Sequence, residues 1–423
     1  MATATDPALG QVRPVQARTL RVLSAAAVLG GLAVAGSVAA GSLIAADVGG
    51  SEAVAGLAQT CGVLGAAVLA LPLARIALRH GRRAALSTGY AIGAAGAVIV
   101  VVAAVLRSLP LVLLGTFLVG VASASSYQAR YAATDLAEDQ HRARDLSWVV
   151  WAGTVGAVLG PNLLNASGAL GESLGLPRLA GPYVVGAVLL AATASVLVIW
   201  LRPDPYRLAL ERRARPNTPT VHPTMRQGID HVRARPRAML GIAAISLGHV
   251  VMVMVMVMTP VHMAHVDVSL QFIGLVISVH VAGMYAFSPV VGWLVDRLGR
   301  IQVVLLGVGI LTVACIVSGL APGDAVGMLG VGLFLLGLGW SCTLIAGSTM
   351  VTDEVEADER PAVQGLSDLS MNASAAVGGV VAGVVVMVAS YGALCAVALV
   401  PVAALGVLTA IPACRAHSNT RSI

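Results

Sequence analysis

Gly292-Trp-Leu-Val-Asp-Arg-Leu-Gly-Arg300 closes one apolar run of the chain, and Ala74-Arg-Ile-Ala-Leu-Arg-His-Gly-Arg-Arg83 closes another. Each is a short basic turn between two stretches too long and too apolar for a water-soluble domain. A helix that crosses a bilayer needs ~20 mostly apolar residues. By that measure twelve spans are predicted: 22–46, 53–77, 84–106, 110–133, 147–169, 180–201, 238–260, 269–292, 301–320, 324–349, 365–388 and 391–412. The runs are too long for barrel strands and lack their alternation. The expected fold is therefore an all-α membrane protein with twelve transmembrane helices in two pseudo-symmetric six-helix halves.

Composition agrees. Of 423 residues, 57% are hydrophobic and 11% charged, against roughly a quarter charged in soluble domains. Mean hydropathy is +0.88. The apolar mass is Ala, Val, Leu and Gly, with 47 glycines, as suits helices whose backbones approach closely in lipid. The five cysteines, Cys61, Cys315, Cys342, Cys395 and Cys414, fall in no CxxC or zinc-type spacing, so no disulfide framework is read from them. The polar start, 1–21, is read as preceding a first helix that stays in the protein.

The net charge of +6 comes from Arg alone, for there is no Lys. Twelve spans put both termini on one side. With that side cytoplasmic, 23 of the 26 Arg lie in inside loops, Arg107 and Arg178 lie outside, and Arg130 lies within a span. This is the positive-inside pattern, so the basic charge belongs to topology and no nucleic-acid partner is expected. The predicted divisions are a cytoplasmic N-terminus 1–21, a six-helix bundle 22–201, a cytoplasmic linker 202–237, a second bundle 238–412 and a tail 413–423, in the plasma membrane of a bacterium.

The halves echo each other. Thr134-Asp135 is followed by Arg142, and Thr352-Asp353 by Arg360, each Arg seven residues after its Asp and each echo after the fourth span of its half. The loop at 292–300 resembles the signature Gly-x-Leu-x-Asp-Arg-x-Gly-Arg of the major facilitator superfamily of transporters. The first loop keeps Arg79, Gly81, Arg82 and Arg83 but has Leu78 in place of the acid. The resemblance implies a secondary transporter working by alternating access, not an enzyme, with no resident cofactor. It also implies a conformational latch of Gly292, Asp296, Arg297, Gly299, Arg300, Gly81, Arg82 and Arg83. No nucleotide loop, HExxH or nucleophile elbow is found, so an ion or solute gradient must drive transport, with a coupling proton among the candidates.

Three features bear on the cargo. Gly156, Gly160 and Pro161 resemble the fifth-span motif of proton-coupled exporters, an efflux reading; small-residue packing and a proline kink explain them equally. Leu164 replaces a further Gly of that motif, and Thr116 stands where such exporters carry an Arg. Arg130, beside Tyr127, Gln128 and Tyr131, either snorkels to the interface or holds an anion or a carboxylate of the cycle; with Asp135 it forms a candidate charge relay. No acid is read as lying deep in a span. The sharpest feature is soft: His249, Met256 and Met263 share one face of span seven, with Met252 close by, and His280 and Met284 share a face of span eight. Imidazole and thioether suit Cu(I). Met252/Met256 and His280/Met284 resemble the MxxxM and HxxxM motifs of the copper-importing, oxidase-assembly branch, whose relatives are also associated with riboflavin. Copper would be cargo, not cofactor. The expectations are copper import first, then a proton-coupled exporter of small organic compounds, then a riboflavin-type carrier; packing accounts for any one of these Met or His residues alone.

The topology can be checked directly. Reporter fusions after Arg79, within 205–235 and after Arg421 should read cytoplasmic, and one within 262–267 should read external; a cytoplasmic signal at 262–267 would overturn the twelve-span count.

Overall fold

The computed structural model describes residues 7–50, 52–213, 226, 230 and 232–420, excluding the side chains of 7–12, 38, 39, 52–56, 161, 162, 213, 270 and 411–420. The predicted termini at 1–6 and 421–423, most of the linker, and the side chains of Pro161 and Cys414 thus lie outside the described residues. Backbone polar groups have no water to bind in a bilayer, so a spanning chain must satisfy them within itself. Accordingly the regular structure is helical throughout, with no strand among the described residues. Eleven helices are long and apolar enough to cross a membrane, and a twelfth crossing is made if Asp139–Gly160 and Leu164–Ser173, bent by 59°, form one span.

The predicted spans are found with differences at their ends. The first helix, Pro7–Gly49, and the last, Tyr391–Thr420, overrun the apolar segments on their polar sides. Hydropathy marks only the lipid-facing part of a helix, while Ala, Arg, Leu and Gln continue it readily. The eighth span is broken, Leu270–Tyr285 giving way to Ser288–Leu298 with Pro289 in the first turn of the second piece. Proline is accepted there because that amide would have no helical partner. The fifth span bends directly after Gly160-Pro161 for the related reason that an internal proline removes a backbone bond.

The helices form two compact units. One holds residues 1–230 together with Val355–Leu369; the other holds His231–Glu354 and Ser370–Ile423. Helix Arg360–Val388 is thus shared, its first ten residues belonging to the first unit. In that unit Leu23, Leu86, Tyr90, Leu190 and Leu197 form one fully enclosed cluster and Ile44, Val100, Val112 and Tyr183 another. Many large apolar residues are exposed, among them Val188, Leu320, Val400 and Met387. On a soluble protein such surface would mark an interface; on these helices it is the side that meets lipid.

Glycine sets how closely the first unit packs. Gly156 and Gly160 lie against span one, where a Cβ on Gly156 would strike the backbone of Gly31 and one on Gly160 would strike Ala35 and Gly36. This is the close approach that small residues at four-residue spacing permit. Gly153, one turn earlier, has nothing within 4 Å of a built Cβ. Gly156→Val should therefore destabilise the protein by about 1–3 kcal/mol through overpacking, read as a fall in detergent melting temperature. Gly153→Val should leave it near the parent, and equal effects at the two positions would refute this packing.

Candidate functional site

The two signature loops build the same ion pair twice. Span two ends at His80, Gly81 turns the chain at φ +89°, and helix Arg82–Leu106 begins. Arg82 Nε donates to Asp135 Oδ2 at 2.8 Å and its Nη2 to Asp135 Oδ1 at 3.2 Å. In the second half Gly299 turns at φ +102° and Arg300 Nε donates to Asp353 Oδ2, again at 2.8 Å. Each Asp follows its Arg by 53 residues. The positive φ explains the glycine at both turns, since other residues rarely adopt it. The pairs differ in environment: Arg82 and Asp135 are each 1% exposed, Arg300 and Asp353 about a quarter. Arg82 also bonds Gln364, whereas Arg300 reaches back to the Val295 carbonyl at 3.5 Å. Of the other expected latch residues, Asp296 is half-buried on helix Ser288–Leu298, and Arg297 lies with its guanidinium carbon 5.0 Å above the Trp293 ring. Leu78, in place of the acid, is buried against Tyr206 and Ala362.

Arg130 does not snorkel. It is 2% exposed, and its Nη2 donates to Asp368 Oδ1 at 2.8 Å. Its guanidinium carbon stands 4.6 Å above the Tyr131 ring and 5.8 Å above that of Tyr127, so the cation has two aromatic neighbours. Tyr131 donates its hydroxyl to Ser367 Oγ at 3.2 Å. Asp368 is fully enclosed in helix Arg360–Val388. No acid is read from the sequence as lying deep in a span, and Asp368 is only one turn inside the predicted start at 365; its enclosure is what the sequence does not hint at. Arg130 and Asp135 do not pair with each other. Each anchors a separate ion pair, and Gln364 and Asp368, one turn apart, receive Arg82 and Arg130 on one helix face. An ionised pair withdrawn from water inside membrane helices marks function by default.

The soft residues of the second unit are placed differently from the expectation. His249 Nδ1 accepts the indole N–H of Trp340 at 2.8 Å, and Trp340 in turn packs edge-on against Tyr285, centroids 5.7 Å apart. His280 is fully enclosed and its Nδ1 donates to the Leu333 carbonyl at 2.8 Å. Both imidazoles therefore turn onto helix Val326–Glu354, the tenth span. Met252, Met263 and Met284 are buried and Met256 is half-buried. Because Nδ1 of His280 is the donor, its Nε2 carries the bare lone pair, and that atom has no hydrogen-bond partner. Among the described residues no three His, Cys, Asp or Glu gather as a metal site. Cys61, Cys315, Cys342 and Cys395 are free. Thr116 donates to the Leu113 carbonyl within its own helix, and the Gly156–Gly160 face is used for packing on span one.

Duplicated latch pairs in a polytopic helical bundle, with a buried ion pair beside one of them, are the parts of a membrane carrier. The chain belongs to the Major Facilitator Superfamily, whose model matches residues 22–269 and 251–418; as a member it is a multi-pass membrane transporter and not an enzyme. It is 38% identical over 377 residues, 89% of this chain and 87% of the relative, to the MFS-type transporter YdeG of Bacillus subtilis. It is 29% identical over 354 residues, 84% of this chain and 85% of the relative, to the riboflavin transporter RfnT of Brucella anthropi. Among solved structures the human organic anion transporter MFSD10 is similar with a TM-score of 0.71 and 17% identity, covering 93% of this chain and 99% of that one; the likeness is one of fold.

The Arg130–Asp368 pair makes a stability prediction that does not depend on cargo. Asp368→Leu alone strands a buried guanidinium and should cost about 3–5 kcal/mol, whereas Arg130→Met with Asp368→Leu should recover most of that loss. Thermal unfolding of the purified proteins reads both, and a double variant no more stable than the single one would contradict the pairing.

Proposed function

We propose that the protein is an ion-coupled secondary transporter of a bacterial plasma membrane in which opening and closing of the Arg130–Asp368 pair accompanies each transport cycle. The observation that carries this reading is the pair itself. An enclosed carboxylate facing a guanidinium is a two-state element: ionised, it holds Arg130; protonated, it no longer offers the anion that Arg130 binds. A proton taken up by Asp368 would thus be linked to the release of the helix segment that carries it. The positive-inside distribution supports placing this pair toward the cytoplasm, with both termini on that side.

The cargo we assign to small organic solutes with a planar ring system, the class of riboflavin. The likeness to RfnT supports this over most of the chain's length. So does the group of His249, Trp340 and Tyr285 within the second unit, since flat solutes are held by aromatic faces and a few placed polar groups. Copper(I) is the second reading, and the observation that favours it is the enclosed lone pair of His280 Nε2 with Met284 one turn on. Against it stands the turning of His249 and His280 onto the tenth span, which gives each imidazole a protein partner.

One set of proteoliposome measurements tests both. Labelled riboflavin should accumulate under an imposed proton gradient, and Asp368→Asn should abolish that accumulation while leaving riboflavin counterflow within about threefold of the parent, because a neutral isostere removes coupling but not binding. Met256→Leu, which nearly conserves volume at a cost below ~1.5 kcal/mol, should leave riboflavin uptake intact. Copper uptake lost in both Met256→Leu and His280→Ala, with no riboflavin transport, would establish the second reading. Gradient-driven accumulation by Asp368→Asn equal to the parent's would refute the coupling role.

A further inference from the structure

The first signature loop lacks its acid, yet the Arg it positions is the more deeply enclosed of the two. The enclosure comes from the chain just beyond span six. Tyr206, 1% exposed, opens the short helix Pro205–Arg213. Its ring lies 5.8 Å from the guanidinium carbon of Arg82, packs on Leu78 and Ala362 with Leu210 beside them, and its hydroxyl donates to the Asp358 carbonyl at 2.9 Å. One aromatic side chain thus touches the loop after span two, the latch Arg, and the start of helix Arg360–Val388.

Asp204 pins that side chain in place. Its Oδ1 accepts the amides of Tyr206 and Arg207, each at 3.1 Å, capping the short helix. Its Oδ2 accepts the Arg83 amide at 2.7 Å, in the first turn of helix Arg82–Leu106. A single carboxylate therefore sits at two helix N-termini, where negative charge is favoured. The fit is close: a Cβ on Gly81 would collide with the Asp204 carboxylate.

We propose that Tyr206, pinned by Asp204, is a positioning residue for transport: it clasps residues 355–369 to the first signature loop and takes over the task of the acid that Leu78 replaces. In place of a charge at position 78 bonding the neighbouring helix, an apolar contact from Leu78 to Ala362 is backed by a tyrosine that bonds the main chain at Asp358. The segment so held also carries Gln364 and Asp368, the partners of Arg82 and Arg130. Tyr206 thereby acts on both ion pairs while belonging to neither. In the second half Arg300 remains about a quarter exposed, as expected where the acid, Asp296, is kept and no such lid is supplied.

The test reads accessibility and needs no cargo, so its failure is distinct from failure of the solute assignment. Full-length protein carrying Ser367→Cys, at a fully enclosed position, is placed in lipid nanodiscs, and thiol labelling at that position is followed by mass spectrometry. Adding Tyr206→Phe, which keeps the ring and removes one hydrogen bond, should speed labelling about threefold, and Tyr206→Ala about tenfold, as loss of the bond and the ring contact requires. Adding Leu78→Asp to the Tyr206→Phe protein should slow labelling again, because it restores a carboxylate beside the start of helix Arg360–Val388. A merely structural tyrosine would lower the melting temperature without that rescue. Unchanged labelling in Tyr206→Phe, or no slowing on addition of Leu78→Asp, would overturn the proposal.

Discussion

A guanidinium withdrawn from water has to be met by a carboxylate, and the described ends of several helices are arranged around that requirement. Removing one partner of such a pair costs about 3–5 kcal/mol, more than most single packing contacts supply. Arg82 and Arg130 are both enclosed, and each has an Asp at 2.8 Å. Those two bonds fix the register of four pieces of chain at once: the start of helix Arg82–Leu106, the end of the fourth span, the loop at Asp135, and the segment 364–368. Apolar packing in a bilayer cannot do this, because lipid tails offer the helices nearly the same contacts as they offer each other.

Most of the fold was legible in the sequence. Hydropathy marked each of the eleven helices long and apolar enough to cross a membrane and the bent pair Asp139–Gly160 and Leu164–Ser173, and the distribution of 23 of the 26 Arg over alternate predicted loops agrees with twelve spans. What was missed lay at the end of the first span, where helix Pro7–Gly49 runs on past the apolar region, and at Pro289, where the eighth span restarts; the bend after Gly160 falls where the sequence placed a proline kink. The repeat was legible as well. The Thr-Asp echoes marked Asp135 and Asp353, and these are the residues that receive Arg82 and Arg300 at identical spacing.

The candidate site was legible only in part, for a reason of sequence distance. Arg130 stands out in an apolar run, but its partner lies 238 residues away, beyond any periodicity. Asp368 is unremarkable near the polar edge of span eleven, and only the fold encloses it. The soft residues show a complementary limit. Helical spacing correctly grouped His280 with Met284 on one face, yet spacing says nothing of which helix that face meets. Both imidazoles meet the tenth span, where the Leu333 carbonyl and the Trp340 indole engage them.

The unequal loops show how a duplicated structure diverges without losing its bond. Both halves keep glycine at the turn, Arg at the helix start and Asp 53 residues on. Position 78 is less constrained: an acid there serves only to hold a neighbouring helix, and another group can do so. Asp204 stands 121 residues from Arg83 in the chain, so it is the fold, not chain connectivity, that brings the short helix after span six to the first loop. In the second half the acid, Asp296, is kept, on helix Ser288–Leu298. Where a local segment can supply both an aromatic lid and a helix cap, a buried charge becomes dispensable, and exchanging it for an apolar contact also removes the desolvation that an unpaired carboxylate would carry.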